Sequence, residues 1–139
     1  MAGGGSIRVY LAASFSRQAE MRVVAARLQN VTITSRWLFE PQGIFGAREK
    51  HMRDCAFTDL NDVRDADILV LFADDLTPMT VPSHLVTGAR HVEFGIALER
   101  GIPIIVVGKR QNVFHFCPHV TILPDTETLV RYLSNEEIN

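Results

Sequence analysis

The sequence predicts an α/β fold, a single doubly wound domain in which helices cover both faces of a five-stranded parallel sheet. Three stretches are almost continuously apolar and rich in β-forming residues, namely Ile7–Ala13, Asp67–Phe72 and Ile102–Val107. Strands buried on both faces have this composition, and here they alternate with helical patterns. Because crossovers between parallel strands are right-handed, we expect the strand order 2-1-3-4-5.

Size and charge limit the classes of function. The chain has 139 residues, which suits one domain with one core. Its net charge is −2 and it has no basic block, so we expect neither a nucleic acid polymer nor a membrane as partner. A small phosphorylated ligand needs only a local positive site. We place the domain at residues 7–134, between a flexible N-terminus (1–6) and a tail (135–139).

The two cysteines, Cys55 and Cys117, favour a reduced, cytoplasmic protein. Both lie in apolar contexts without metal-type spacing. No apolar run approaches the length of a membrane span, and the glycine-rich start does not have the pattern of a signal peptide.

The elements follow from apolar periodicity and turn residues. The first half is predicted to contain strand Ile7–Ala13, helix Arg17–Gln29, strand Val31–Trp37, loop Phe39–Ala47 and helix Arg48–Asp65. The second half is predicted to contain strand Asp67–Phe72, loop Ala73–Val86, a helix from Thr87, strand Ile102–Val107, loop Gly108–Pro118, strand His119–Leu123 and helix Asp125–Leu133. The first loop is long enough to be functional.

The helix that begins at Thr87 carries the first candidate for chemistry. Gly101 ends it, and a proline two residues later prevents its continuation. Glu93 lies in its first or second turn, where the helix dipole favours the anion. The small residues Gly88 and Gly95 would let another molecule approach. Glu93 is therefore either an exposed helix carboxylate or a reactive group.

Asp59 is the second candidate, because it falls on an apolar face of its predicted helix. The face is formed by Met52, Cys55, Ala56 and Val63. A buried carboxylate needs a partner, so Asp59 is either structural, pairing with an arginine or capping a loop, or a general acid/base. Two carboxylates in one cleft are typical of glycosidic bond cleavage. Tyr10, in the first strand, either packs in the core or donates its hydroxyl to a carboxylate.

A doubly wound sheet binds ligands beyond the carboxyl ends of its strands, where the strand order reverses. The segments delivered there are Ala12–Arg17, Ala73–Thr87 and the start of the Glu93 helix. Ser14 and Ser16 either cap the following helix or help to hold one phosphate. The glycine pattern of dinucleotide sites is absent, so we expect no cofactor.

No metal site is predicted. The histidines considered for one are His84, His91, His115 and His119. Their spacing matches no ligand motif.

With these residues in place, the chain resembles the nucleoside 2-deoxyribosyltransferase superfamily over nearly its whole length. The blocks that carry the resemblance are Val9–Ser14, Asp59–Asp67 and Gly88–Pro103. The resemblance implies a retaining mechanism in which Glu93 is the nucleophile, Asp59 assists departure of the base and Tyr10 orients the nucleophile. It implies a structural role for Asp67.

Within the superfamily, the chain is most similar to the branch of nucleoside 5′-monophosphate N-glycosidases. Where the deoxyribosyltransferases carry an aspartate for the sugar 5′-hydroxyl and the glycosidases a serine, this chain has Thr87. A hydroxyl can donate to a phosphate, whereas a carboxylate repels it. The resemblance implies a substrate and phosphate site formed by Ser14, Ser16, Arg17, Thr87, Gly88 and Arg90. Arg90 is expected at the surface, and His91 has no assigned role.

We therefore expect hydrolysis of a (deoxy)ribonucleoside 5′-monophosphate to free base and sugar phosphate. Base exchange between deoxynucleosides, or a non-catalytic nucleotide-binding module, are the alternatives. Trp37 either stacks on the base or packs in the core, and Asn112 is a further candidate for base contact. In the superfamily a neighbouring subunit often completes the site, so we expect a homodimer or higher homo-oligomer. The first helices and the loop Gln111–Phe116 are candidates for its interface.

Overall fold

The computed structural model confirms the predicted fold class and strand order. It describes residues 6–40, 49–74 and 88–134. One sheet of five parallel strands has the order β2-β1-β3-β4-β5. The strands and helices are β1 (Ile7–Ala12), α1 (Gln18–Arg27), β2 (Val31–Ile33), α2 (Glu49–Arg64), β3 (Ile68–Phe72), α3 (Ala89–Arg100), β4 (Ile104–Val107), β5 (Val120–Leu123) and α4 (Thr126–Ser134). Thr87, most of both long predicted loops, and the two terminal segments except Ser6 lie outside the described residues.

The helices form two layers, one on each face of the sheet. Helix α3 packs on β1, β3 and β4 and also contacts α2. On the other face, Arg27 of α1 forms a two-pronged ion pair with Glu127 of α4, at 2.6 and 2.9 Å. Every residue of β3 and β4 is buried, because these strands are covered on both sides. Within the described residues, every helix is too short or too polar to cross a bilayer.

Strand β2 ends at Ile33, earlier than the predicted Trp37, because side chains take over its hydrogen bonds to β1. The amide of Leu11 donates to Ser35 Oγ at 3.1 Å, and the carbonyl of Leu11 accepts from Trp37 Nε1 at 2.8 Å. The chain then turns into a short 3-10 helix over Arg36–Phe39. Both backbone groups of Leu11 are thereby satisfied without a paired strand.

The end of α3 follows the predicted stop signal. Gly101 adopts a left-handed conformation (φ 74°), and its amide donates to the carbonyl of Leu98. Strand β4 begins at Ile104, two residues later than predicted. Pro103 precedes it and has no amide hydrogen to give to a ladder.

The predicted apolar face of α2 is only partly correct. Val63 is buried, but Met52 and Cys55 are half-buried and Ala56 is exposed. The N-terminal part of this face borders an open pocket instead of the core. The core position next to Val63 is taken by Asp62, which is 3% exposed.

The bond between Ser35 and Leu11 gives a test of this architecture. We expect Ser35→Ala to lower the free energy of unfolding by about 1–3 kcal/mol, because it leaves the buried Leu11 amide without an acceptor. Urea unfolding followed by circular dichroism would measure this. Ser16→Ala, at an exposed serine, is the control and should stay within about 0.5 kcal/mol of the unsubstituted protein. Equal stability of both variants would contradict the role given to Ser35.

Candidate active site

A pocket that is open to solvent lies beyond the carboxyl end of β1 and at the start of α3. Four parts of the chain approach it: the turn after β1, the segment after β2, one face of α2, and the first turns of α3. The lining residues are Ala13, Ser14, Phe15, Trp37, Glu40, Met52, Cys55, Asp59, Gly88, Ala89, Arg90 and Glu93. This is the crevice that strand-order reversal predicts.

Glu93 is buried at the inner end of the pocket and hydrogen-bonded to Tyr10. The tyrosine lies in mid-strand in β1, and its hydroxyl donates to Glu93 Oε2. Tyr10 is fully buried and Glu93 is 8% exposed. Both alternatives considered for Tyr10 therefore hold, since it packs in the core and also donates to a carboxylate. Glu93 is not an exposed helix residue.

Burial raises the pKa of Glu93 to about 8. The hydrogen bond from Tyr10 opposes this shift by favouring the anion, and the nearby Asp59 carboxylate adds to it. Burial and the two carboxylates also raise the pKa of Tyr10 well above its ordinary value, so the phenol stays protonated. Tyr10 is thus a permanent donor that stabilises the ionised form of Glu93.

Asp59 lines the same pocket from α2. Partial burial, together with repulsion from Asp62 and Glu40, raises its pKa to about 7. The arginine partner considered for it belongs instead to Asp62, which accepts from the Arg36 amide at 2.9 Å and pairs with its guanidinium at 2.8 Å. Asp59 is left as a carboxyl group that can hold or release a proton near neutral pH.

Ser14, Arg17 and Arg90 meet in a polar cluster, but around a residue that the sequence did not single out. Asp74 accepts from Ser14 Oγ at 2.5 Å and pairs with Arg90 Nη2 at 3.2 Å and Arg17 Nη1 at 3.4 Å. Arg90 Nη1 also donates to Ser14 Oγ at 3.1 Å. Ser14 makes no capping bond with its hydroxyl. The one sequence signal that could have pointed to Asp74 is that it closely follows β3, at the point where the strand order reverses.

Arg90 is buried, with 4% exposure, so its expected place at the surface is wrong. The partners that make this burial possible are Asp74 and Ser14, because a buried guanidinium needs a counter-charge. Its Nε–H has no hydrogen-bond partner within the described part of the chain. A buried unpaired donor beside a pocket is a natural place for a ligand acceptor.

The remaining residues of the expected phosphate site differ in position. Gly88 lines the pocket and begins α3 in a left-handed conformation (φ 80°) that favours glycine. Arg17 divides its guanidinium between Asp74 and Glu20. Ser16 is exposed. Gly95 is also exposed and is not among the lining residues described, so it does not open the approach to Glu93.

Of the two residues proposed for base contact, one lines the pocket and the other is not among its lining residues. Trp37 is 6% exposed and donates to the Leu11 carbonyl, yet its ring forms part of the pocket lining. Asn112 accepts from the amide of Phe114 and caps a 3-10 turn. It does not belong to the lining described here, and its contact with a base stays a prediction.

Two further features were missed by sequence analysis. His91 and His115 lie close, with ring centroids 6.4 Å apart, and His115 packs on Phe94. His51, which was not considered for a metal site, lies beside Cys55 and Glu40 at the pocket. The helical spacing of His51 and Cys55 was visible in the sequence, whereas the approach of Glu40 depends on the fold.

The raised pKa of Glu93 predicts how stability depends on pH. An acid with an ordinary pKa of 4.5 and a folded-state pKa of about 8 binds more protons in the folded state. The contribution of Glu93 to the free energy of unfolding is therefore largest below about pH 4.5 and is lost as the pH rises through about 8. We expect Glu93→Gln to flatten the fall in unfolding free energy across this window, by about 1.4 kcal/mol for each pKa unit removed.

Urea unfolding at several pH values would measure this slope. Glu99→Gln, an exposed substitution on the same helix, is the control and should keep the slope of the unsubstituted protein. Asp59→Asn should remove a smaller contribution to the pH dependence of the unfolding free energy, one that is lost as the pH rises through about 7. An unchanged slope in Glu93→Gln would contradict the buried, protonated carboxyl.

Comparison with known proteins gives structural matches only. No family model and no curated protein matches the sequence. Among solved structures, the chain is similar to a 2-deoxyribosyltransferase from Bacillus psychrosaccharolyticus, with a TM-score of 0.65 and 17% identity over 90% of this chain and 91% of that one.

Two other solved structures are also similar. The CMP N-glycosidase BcmB from Clostridium botulinum has a TM-score of 0.57 and 19% identity, over 91% of this chain and 98% of that one. A conserved protein from Enterococcus faecalis V583 has a TM-score of 0.59 and 15% identity, over 94% and 98%. The chain therefore shares the fold of nucleoside 2-deoxyribosyltransferase-like proteins, as the resemblance of its sequence implied.

Proposed function

We propose that the protein cleaves the N-glycosidic bond of a nucleoside-type substrate through a covalent glycosyl–enzyme intermediate. The observation that carries this proposal is the bond between Tyr10 and the buried Glu93, in a pocket that Asp59 also lines. A binding module has no need of a desolvated carboxylate held by a permanent donor. The fold shared with a CMP N-glycosidase and a 2-deoxyribosyltransferase supports the same class of chemistry.

The proposed reaction has two steps. The Glu93 carboxylate attacks C1′ of the sugar while Asp59 gives a proton to the departing base, which leaves a glycosyl ester and a free base. A water molecule then attacks C1′, Asp59 takes its proton, and the sugar is released with Glu93 restored. Positive charge develops on the sugar in both steps, and it favours the ionised form of Glu93 at the moment of reaction.

We infer that the preferred substrate is a 5′-monophosphate and that water is the acceptor. Ser14, Arg17 and Arg90 offer a hydroxyl and two guanidinium groups, and the Arg90 Nε–H is a further donor without a partner among the described residues. A phosphate carries about −1.5 to −2 charges and three acceptor oxygens, so it can displace the single carboxylate of Asp74.

The same Asp74 favours a second candidate, base exchange on unphosphorylated nucleosides. With Glu20 on Arg17 and Asp74 on both arginines, two cations already face two carboxylates. A carboxylate in this place is a suitable acceptor for a sugar 5′-hydroxyl. Under this alternative Asp74 remains in position when the substrate binds.

The central test is base release from a panel of nucleosides and their 5′-monophosphates, followed by chromatography. We expect free base from a monophosphate, and a loss of rate of about 10²–10⁴-fold in Asp59→Asn. Glu93→Gln should lose at least as much, because it removes the nucleophile. Glu99→Gln is the matched control and should retain the activity. If no member of the panel releases its base although the protein still binds it, the proposed glycosidase activity is refuted.

A substitution at Asp74 separates the two candidates. If phosphate displaces this carboxylate, Asp74→Asn should lower KM for the monophosphate by about tenfold, equivalent to about 1.4 kcal/mol. If Asp74 holds the 5′-hydroxyl, the same change should raise KM for the nucleoside, and added free base should yield a new nucleoside. Asp65→Asn, at an exposed aspartate of the chain, is the control for both assays.

We also propose that the protein self-associates through the segment after β4. Val113, Phe114 and Phe116 are 74%, 56% and 68% exposed, an unusual concentration of apolar surface. The preceding Gln111 donates to the backbone carbonyl of Asp74 at 2.8 Å, so this segment is tied to the polar cluster. A second copy packed here would lie next to the pocket.

Light scattering coupled to size-exclusion chromatography would test this association. Phe114→Asp should shift the protein from a dimer or higher oligomer to a monomer, because it places a charge in an apolar contact. Thr121→Asp introduces the same charge at an exposed position of β5 and should leave the mass unchanged. A monomeric unsubstituted protein would exclude the proposal.

A further inference from the structure

We propose that Glu40, His51 and Cys55 form a binding site for Zn²⁺ at the pocket. Their ligand atoms, a carboxylate oxygen, an imidazole nitrogen and a thiol sulfur, all lie within 4.8 Å of one another. This inference is independent of the glycosidic reaction. It rests on the placement of three metal-binding side chains that the sequence does not bring together.

The geometry is close to that of a tetrahedral zinc site. Zinc binds sulfur at about 2.3 Å and imidazole nitrogen at about 2.0–2.1 Å, which places these two atoms roughly 3.6 Å apart across a tetrahedral ion. Cys55 Sγ and His51 Nε2 are 3.7 Å apart. Since the two residues are one turn apart on α2, the helix places their side chains next to each other on one face.

Glu40 completes the set from a different element. The segment after β2 brings it to α2, and its backbone is anchored to α1, because Gln18 Nε2 donates to the Glu40 carbonyl at 2.7 Å. One thiolate and one carboxylate balance the charge of a divalent ion, while the imidazole binds as a neutral ligand. The mixture of sulfur, nitrogen and oxygen ligands suits zinc better than calcium or magnesium, which prefer oxygen alone.

Among the described residues of α2, the two cations nearest in sequence are paired elsewhere. Lys50 pairs with Asp54 at 3.2 Å and Arg53 pairs with Glu49 at 2.6 Å, all four of them at the exposed side of α2. Three protein ligands leave a fourth position of zinc open. Glu40 and Cys55 line the solvent-open pocket, so an ion can enter from solvent and keep a water or a ligand atom there.

The same face of α2 continues to Asp59. His51, Cys55 and Asp59 follow one another at intervals of four residues, which is about 6 Å of helix rise for each interval. Bound zinc would therefore place a divalent charge one turn away from Asp59. The proposal concerns the binding of the ion, and its test does not depend on any activity.

Cobalt substitution gives a direct test, because tetrahedral Co²⁺ absorbs visible light and a Co²⁺–thiolate bond adds a near-ultraviolet charge-transfer band. Titration of the reduced full chain with Co²⁺ should give both features at one equivalent, and Zn²⁺ should abolish them by displacement. Cys55→Ser should lose the charge-transfer band. Cys117→Ser, which removes the other cysteine of the chain, should keep it.

Zn²⁺ affinity measured by calorimetry tests the other two ligands. His51→Ala and Glu40→Gln should each weaken binding by at least about tenfold. Circular dichroism of each variant would verify that it is folded. The proposal is overturned if the unsubstituted protein shows no thiolate band, if the band survives in Cys55→Ser, or if Glu40→Gln or His51→Ala binds zinc as tightly as the unsubstituted protein.

Discussion

The hydrogen bond between Tyr10 and Glu93 joins the central strand β1 to helix α3, and the chemistry of the pocket depends on it. Both side chains are buried, so the tyrosine replaces part of the hydration that the carboxylate loses. Desolvation favours the neutral carboxyl, while the phenol favours the carboxylate. The pKa of Glu93 is thereby raised to about 8, and that of Asp59 across the pocket is raised to about 7 by a different combination of burial and repulsion. Two carboxyl groups in one pocket thus differ in environment, and a difference in environment is what lets such groups take different roles.

The polar cluster around Asp74 shows a second constraint, which is the balance of charge beyond the carboxyl ends of β1 and β3. Arg90 is buried, so it must have a counter-ion whether or not a ligand is present. Asp74, in the segment after β3, supplies the counter-charge, and Ser14, in the segment after β1, accepts a hydrogen bond. The switch point of the sheet therefore brings together groups that compensate one another.

Sequence patterns were sufficient for those parts of the structure that depend on local or repeating features. Buried parallel strands are visible as apolar runs, and the glycine after α3 marks its end, so the fold class, strand order and that helix boundary were correct. The meeting of Tyr10 and Glu93 was expected from strand order and from resemblance to a known superfamily. What could not be predicted are the long-range pairs. The Arg36–Asp62 pair, the burial of Arg90 by Asp74 and the approach of Glu40 to Cys55 all join segments whose relative placement no periodicity encodes.

The early end of β2 has a consequence for how this pocket can diversify. Beyond Ile33, β1 is bordered by the side chains of Ser35 and Trp37 and not by another backbone. Trp37 is at once a lining residue of the pocket and the donor to the Leu11 carbonyl. A substitution at Trp37 would therefore change the wall of the pocket and also leave a backbone group of the central strand without its partner. On this side, the shape of the pocket is coupled to the hydrogen bonds that complete the edge of β1.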